Sequence, residues 1–426
     1  MIEGQLLNQR SPEVVTMSKS FIFSAEIQDF ALWDKMKARR VPLSFDLEIT
    51  ARCNNDCRHC YINLPAGDRV AQAKELSVAE IGDIADQAVA LGAMWCLITG
   101  GEPLLRPDFA DIYMLLKRKG LLLSVFTNAC LVNEEHMRLF QRYPPRDIEV
   151  SVYGVTKETY ERVTRRPGSF AAFVRGLDLL LDSGVRVRFK AMALRSNLHE
   201  MDEIGRFCRQ RTKDYFRFDP VLHLRFDGDP ARNEEIRSER LSPEEIVALE
   251  RADPERFQAL EKGCDKLILS ERLSYDECMA CGQRDSCDKF EAFTRLFGCG
   301  AGNGSFNVSY DGYLRLCSSL WAPETIYDLR QGNLREAWEK HIPRVRAMRT
   351  ENVALLKSCK SCPYVNLCLW CPAHAYLETG EMEGETPYFC AVAHARAEML
   401  NPHPHHQNLP SPRAGRGSGS GMRESA

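Results

Sequence analysis

Between Pro42 and Phe218, strand-like and helix-like segments alternate without a break, and this alternation limits the fold more than any other feature of the chain. Strand-like runs at 42–49, 94–98, 121–126, 147–152, 185–192 and 215–218 are separated by helix-like stretches at 77–91, 107–119, 133–141, 156–163 with 169–181, and 198–210. Ser77, with Glu80 three residues on, reads as a capping box opening the first helix. Gly120 closes the second. Apolar strands each followed by a helix predict a parallel sheet with helical crossovers. Six such units fit a partial (β/α)6, TIM-like barrel of the α/β class; periodicity alone leaves an open doubly wound sheet as the alternative. In both folds the C-terminal ends of the strands form the functional face.

Immediately after the first strand stands Cys53-Asn54-Asn55-Asp56-Cys57-Arg58-His59-Cys60. One loop with this spacing can wrap three thiolates around a single soft metal centre. The chain holds 17 cysteines, an odd number. It has no apolar run long enough for a membrane span and no signal-like core in residues 1–20, so a cytoplasmic protein is expected. In that compartment clustered cysteines read as metal ligands rather than disulfides. Cys96, Cys130 and Cys208 stand alone and read as core thiols. With 56 basic and 59 acidic residues the net charge is −3, which gives no electrostatic case for a nucleic-acid or membrane partner.

About forty residues after the triad, a second strand runs into Leu97-Ile98-Thr99-Gly100-Gly101-Glu102-Pro103. The triad and this turn, in this order, resemble the radical S-adenosylmethionine (SAM) enzymes. The resemblance implies that Cys53, Cys57 and Cys60 hold a 4Fe–4S cluster whose open iron is chelated by SAM, and that reductive cleavage yields a 5′-deoxyadenosyl radical. It implies that Gly100, Gly101, Glu102 and Pro103 receive the SAM amino group, with Glu102 neutralising it and the glycines letting backbone approach the cofactor. His59 takes the place of an aromatic beside the adenine. Ser151 takes that of a ribose-binding serine, while Tyr153 replaces the usual acid. Thr127, Lys190 and Asn197, at or after strand ends, complete the expected SAM contacts. Thr164 stands where an arginine is common, with Arg165 or Arg166 as substitutes.

Cysteine becomes frequent again from Cys264. Cys299, Gly312 and Cys317, then Cys359, Cys362, Cys368, Cys371 and Cys390, resemble the SPASM extension that carries one or two auxiliary 4Fe–4S clusters. By that resemblance Cys359, Cys362, Cys368 and Cys390 hold an outer cluster. Cys299, Cys317 and Cys371 hold an inner one, with Cys287 the preferred fourth ligand among Cys278, Cys281 and Cys287. Cys371 follows Cys368 after two residues where the family has three. Zinc is the alternative reading of paired C-x-x-C, since tetrahedral sulfur suits either metal.

The expected organisation is a lead-in at 1–40, the barrel at 41–220, a charged helical bridge at 221–263 with a helix at 243–249, a cysteine-rich domain at 264–400 and a disordered tail at 401–426. SPASM-bearing relatives mostly crosslink or oxidise side chains of ribosomally made peptides or proteins, and that is the expected activity, with flavodoxin or ferredoxin as reductant. The alternatives are a small-molecule substrate, such as a haem side chain or aminoglycoside precursor, and a zinc-stabilised scaffold. Residues 1–40 show no complete leader-peptide-recognition domain, which counts against the peptide reading. Ser318 occupies the position of the base in formylglycine-forming relatives, so the general base is unassigned; Asp219, Asp227 or a thiolate are candidates.

Overall fold

The computed structural model describes residues 32–214, 216–267, 275–282, 288–368 and 370–400. The expected lead-in, up to residue 31, and the expected tail lie outside them. So does Cys287.

Six strands alternate with helices as the apolar pattern predicts: β1 Ser44–Thr50, β2 Trp95–Gly100, β3 Leu122–Thr127, β4 Asp147–Val152, β5 Val187–Met192 and β6 Arg217–Asp219. The crossovers are α1 Val78–Ala90, α2 Phe109–Arg118, α3 Glu134–Arg142, α4 Lys157–Thr164 with α5 Ser169–Asp182, and α6 Met201–Arg209. The capping box at α1 forms as read, with Glu80 N donating to Ser77 Oγ at 3.2 Å and Ser77 N to Glu80 Oε2 at 2.8 Å. The six strands lie side by side in chain order, every pair parallel. A doubly wound sheet reverses its order at a switch point; this one does not, so the fold is the partial barrel. Phe109, Ile112, Leu116, Phe173 and Leu177 are buried where helices cover the sheet.

The sheet does not stop at the boundary expected near residue 264. Strand β7, Ser305–Val308, pairs parallel to the free edge of β1, and β8 Tyr313–Arg315 and β9 Tyr327–Asp328 follow it antiparallel. The hairpin between Cys299 and Cys317 is thereby built onto the barrel itself. The stretch 221–263, expected to hold one helix at 243–249, holds α7 Pro230–Glu239, α8 Pro243–Ala252 and the start of α9 Pro254–Leu267. Two further helices, α10 Pro372–Thr379 and α11 Pro387–Leu400, follow the last C-x-x-C pairs. Among the described residues no helix is long and apolar enough to cross a membrane.

Candidate active site

The C-terminal ends of β1–β6 open into a cavity of about 600 Å³, within the usual range for a cofactor or small-substrate site. Cys53, Cys57 and Cys60 line it together, with Gly100 and Gly101 from the turn after β2. Burial pushes all three thiols above their ordinary range, and for Cys53 and Cys57 the neighbouring cysteines add to it. Such thiols lose their protons readily only to a bound cation. Among the described residues no three side chains converge as ligands of a single ion; a cubane spreads its thiolates farther apart than one ion does.

The two glycines also let two stretches of backbone meet. A Cβ on Gly100 would lie 2.1 Å from Thr50 O, and one on Gly101 2.4 Å from Arg52 O. Gly100 also has φ +130°. The glycines therefore let the turn press against the exit of β1, where Gly101 N donates to Thr50 O at 2.7 Å. Close backbone approach explains both.

Glu102 is fully buried, does not line the cavity, and accepts hydrogen bonds from Thr127 Oγ1 (2.8 Å), Asn128 N (2.7 Å) and Leu104 N (3.1 Å). Its carboxylate pins the end of β3 behind the cavity wall. Burial raises its pKa to about 7 against these donors. Pro103 is buried behind the wall as the first residue of a 3₁₀ turn, also outside the cavity. Asn197 lies outside the cavity lining too. It is fully buried, gives Nδ2 to Tyr153 O and Met192 O at 3.0 Å each, and accepts from Leu194 N at 2.8 Å. Arg165 and Arg166 donate to the Asp56 and Asn54 carbonyls of the cysteine loop.

His59, Thr127, Ser151 and Lys190 do line the cavity. The His59 ring lies 5.0 Å from that of Tyr153, and its Nδ1 is buried without a partner. An unsatisfied buried nitrogen beside three thiols suits a polar ligand. Lys190 pairs with Asp219 at 2.8 Å, and Asp227 is taken by Arg225 at 2.6 Å. Asn128, absent from the expected contacts, reaches both Cys53 Sγ (3.7 Å) and Asn54 Oδ1 (2.8 Å). Its place at the end of β3 was the signal for it.

Cys371 lies within electrostatic reach of Cys317 and Cys299, and Cys368 within reach of Cys390, Cys359 and Cys362. Cys278 is buried. None of Cys299, Cys317 and Cys371 lines the cavity itself. Ser318, next to Cys317, lines it and hydrogen-bonds Tyr61, the residue after Cys60. Cys96, Cys130 and Cys208 are buried in the apolar core as read.

Residues 47–208 match the Radical SAM superfamily model. An AdoMet-dependent heme synthase of Methanosarcina barkeri is 27% identical over 348 residues, which is 80% of this chain and 94% of that one. The antilisterial bacteriocin subtilosin biosynthesis protein AlbA of Bacillus subtilis is 29% identical over 170 residues, 40% of this chain and 37% of AlbA. Streptococcus suis SuiB, in a structure bound to precursor peptide SuiA, shares the fold with a TM-score of 0.57 at 15% identity, over 84% of this chain and 78% of SuiB. Residues 47–208 are a radical SAM domain, and the protein is an enzyme. Its cofactors are a 4Fe–4S cluster and SAM. The buried triad and the adjoining polar wall fit that pair, which when bound supplies one-electron chemistry that removes hydrogen from a substrate carbon. The chain's own residues hold the loop, shield the site from water and line the space for substrate.

Proposed function

We propose that the enzyme removes hydrogen from a carbon of a peptide or protein side chain and so crosslinks or oxidises it. The observation that carries this reading is that one cavity is lined by Cys60 and Tyr61 on one side and by Ser318, the neighbour of Cys317, on the other. An oxidation needs an electron acceptor near the substrate, and a cluster on Cys299, Cys317 and Cys371 would supply one, Cys317 being one residue from the cavity wall at Ser318. The outer set, Cys359, Cys362, Cys368 and Cys390, would extend the path toward the surface, where Cys390 is exposed. AlbA and SuiB support a peptide substrate. Cys53, Cys57 and Cys60 would hold the SAM cluster, with His59, Gly100, Gly101, Thr127, Ser151 and Lys190 around SAM.

A second reading, a porphyrin substrate, has its own support. The heme synthase match runs along 80% of this chain, whereas the AlbA match covers 40%. The two are separated by incubating the anaerobically reconstituted enzyme with SAM, a low-potential reductant and either a short peptide encoded beside its gene or a haem-precursor porphyrin. The peptide reading predicts peptide-dependent 5′-deoxyadenosine with loss of two hydrogens from the peptide mass. Deoxyadenosine formed only with the porphyrin would overturn it.

A further inference from the structure

Beside Arg165 and Arg166, the bridge after β6 supplies the cysteine loop with hydrogen-bond donors. Arg225, only 3% exposed, gives Nη1 to Asn63 Oδ1 at 2.9 Å, to Asn63 O at 3.1 Å and to Cys60 O at 3.4 Å. Arg232, on α7, gives Nη2 to Cys57 O and to Asn63 Oδ1, both at 3.2 Å. Asn63 completes the set with Nδ2 on Cys57 O at 3.5 Å, and Phe226 N donates to Tyr61 O at 3.1 Å. Buried loop carbonyls need such partners, because no regular ladder serves them.

Neither guanidinium is free to turn away. Arg225 is fork-bonded to Asp227 at 2.9 and 2.6 Å. Arg232 meets Asp56 at 3.0 Å and Glu235 at 2.8 Å. These carboxylates offset the positive charge, so what the arginines bring to the loop is geometry more than field. The planar fork of arginine suits that task, and an ammonium does not reproduce it.

We propose that Arg225 and Arg232, acting through Asn63, clasp the loop and set the positions of Cys57 and Cys60, which makes residues 220–239 a working part of the SAM-cluster site. They are positioning residues, since they touch the carbonyls of the cluster-holding residues and not the thiols. The same segment carries Val221, Leu222 and His223 into the cavity wall. This inference rests on the reading that Cys53, Cys57 and Cys60 hold the SAM cluster.

The test uses the full-length protein reconstituted anaerobically with iron and sulfide, as wild type, Arg225→Gln, Arg225→Lys, Arg232→Gln and the triple Cys53→Ala/Cys57→Ala/Cys60→Ala. Iron loss to a chelator is followed, together with the EPR spectrum of the reduced protein with and without SAM. The glutamine variants are expected to lose the iron that the triple variant lacks at least about tenfold faster than wild type, as outer-shell substitutions do. The remaining iron should leave at the wild-type rate, and the change in EPR on adding SAM should be altered. Arg225→Lys should fall between. Should Arg225→Gln fail to fold, Arg232→Gln, whose side chain is 19% exposed, carries the same comparison. Wild-type loss rates and spectra in the arginine variants would overturn the clasp alone. A triple variant with the full wild-type iron content would overturn the cluster assignment, and the clasp with it.

Discussion

His223 borders the cavity with its ring 4.1 Å from that of His374, and its Nδ1 is buried without a partner. Burial, followed by His374, Lys190 and Arg240, lowers its pKa to about 3 against the pull of Asp219. A histidine near 6.5 when unfolded and about 3 when folded takes up a proton only on unfolding between those values. Its contribution to stability is therefore present at neutral pH and lost as pH falls below about 6.5. Between pH 7.5 and 5.5 the wild type should lose about 1.4 kcal/mol more than His223→Gln, one pKa unit's worth. Urea unfolding of both at the two pH values checks this; equal losses would contradict it. Residue roles were only partly legible in the sequence. Motif order brought the three cysteines, Gly100, Gly101 and His59 to one place. Glu102 was expected on the cofactor from its motif and Asn197 from its place after a strand, and spacing could not reveal that both are also bonded to neighbouring strand ends.

At the scale of elements, β1 sits between the barrel and the hairpin that leads to Cys317, and one buried ion pair ties the two. Arg315 on β8 and Glu48 on β1 are 0% and 1% exposed along their side chains and meet at 2.8 Å. Arg315 also donates to Ser318 O at 2.7 Å and Asn307 Oδ1 at 2.5 Å, and stacks on Trp321 at 3.6 Å. Removing one partner of a buried pair leaves the other charge uncompensated, whereas replacing both with apolar groups is far milder. Arg315→Met should thus cost about 3–5 kcal/mol, and Glu48→Leu/Arg315→Met clearly less. Denaturant unfolding decides between them, and a double variant less stable than the single would refute the account of the pair. The barrel strands were readable because each is an apolar run closed by turn residues. Helices α7 and α9 were missed although Asp229-Pro230 and Asp253-Pro254 carry the same start signal as Ser242-Pro243, a capping residue before proline at the first helical position. Their charged composition hid the turns that cover the cysteine loop. The continuation of the sheet from β1 into β7 was not legible at all, since the pairing joins segments some 260 residues apart.

Across the whole molecule, the cysteine triad and Ser318, the neighbour of Cys317, face one cavity, and the cysteines of the described residues are free thiols. Spacing singles out the triad. Its meeting with Ser318 follows from the shared sheet, which no local pattern encodes. The most direct measurement of this account is anaerobic iron and sulfide content together with 5′-deoxyadenosine formation, in wild type and in Cys53→Ala/Cys57→Ala/Cys60→Ala. The account predicts about twelve irons per chain from three four-iron clusters. In the triple variant it predicts about four fewer, with no deoxyadenosine. Zinc in place of iron, or deoxyadenosine production that survives the triple substitution, would contradict it.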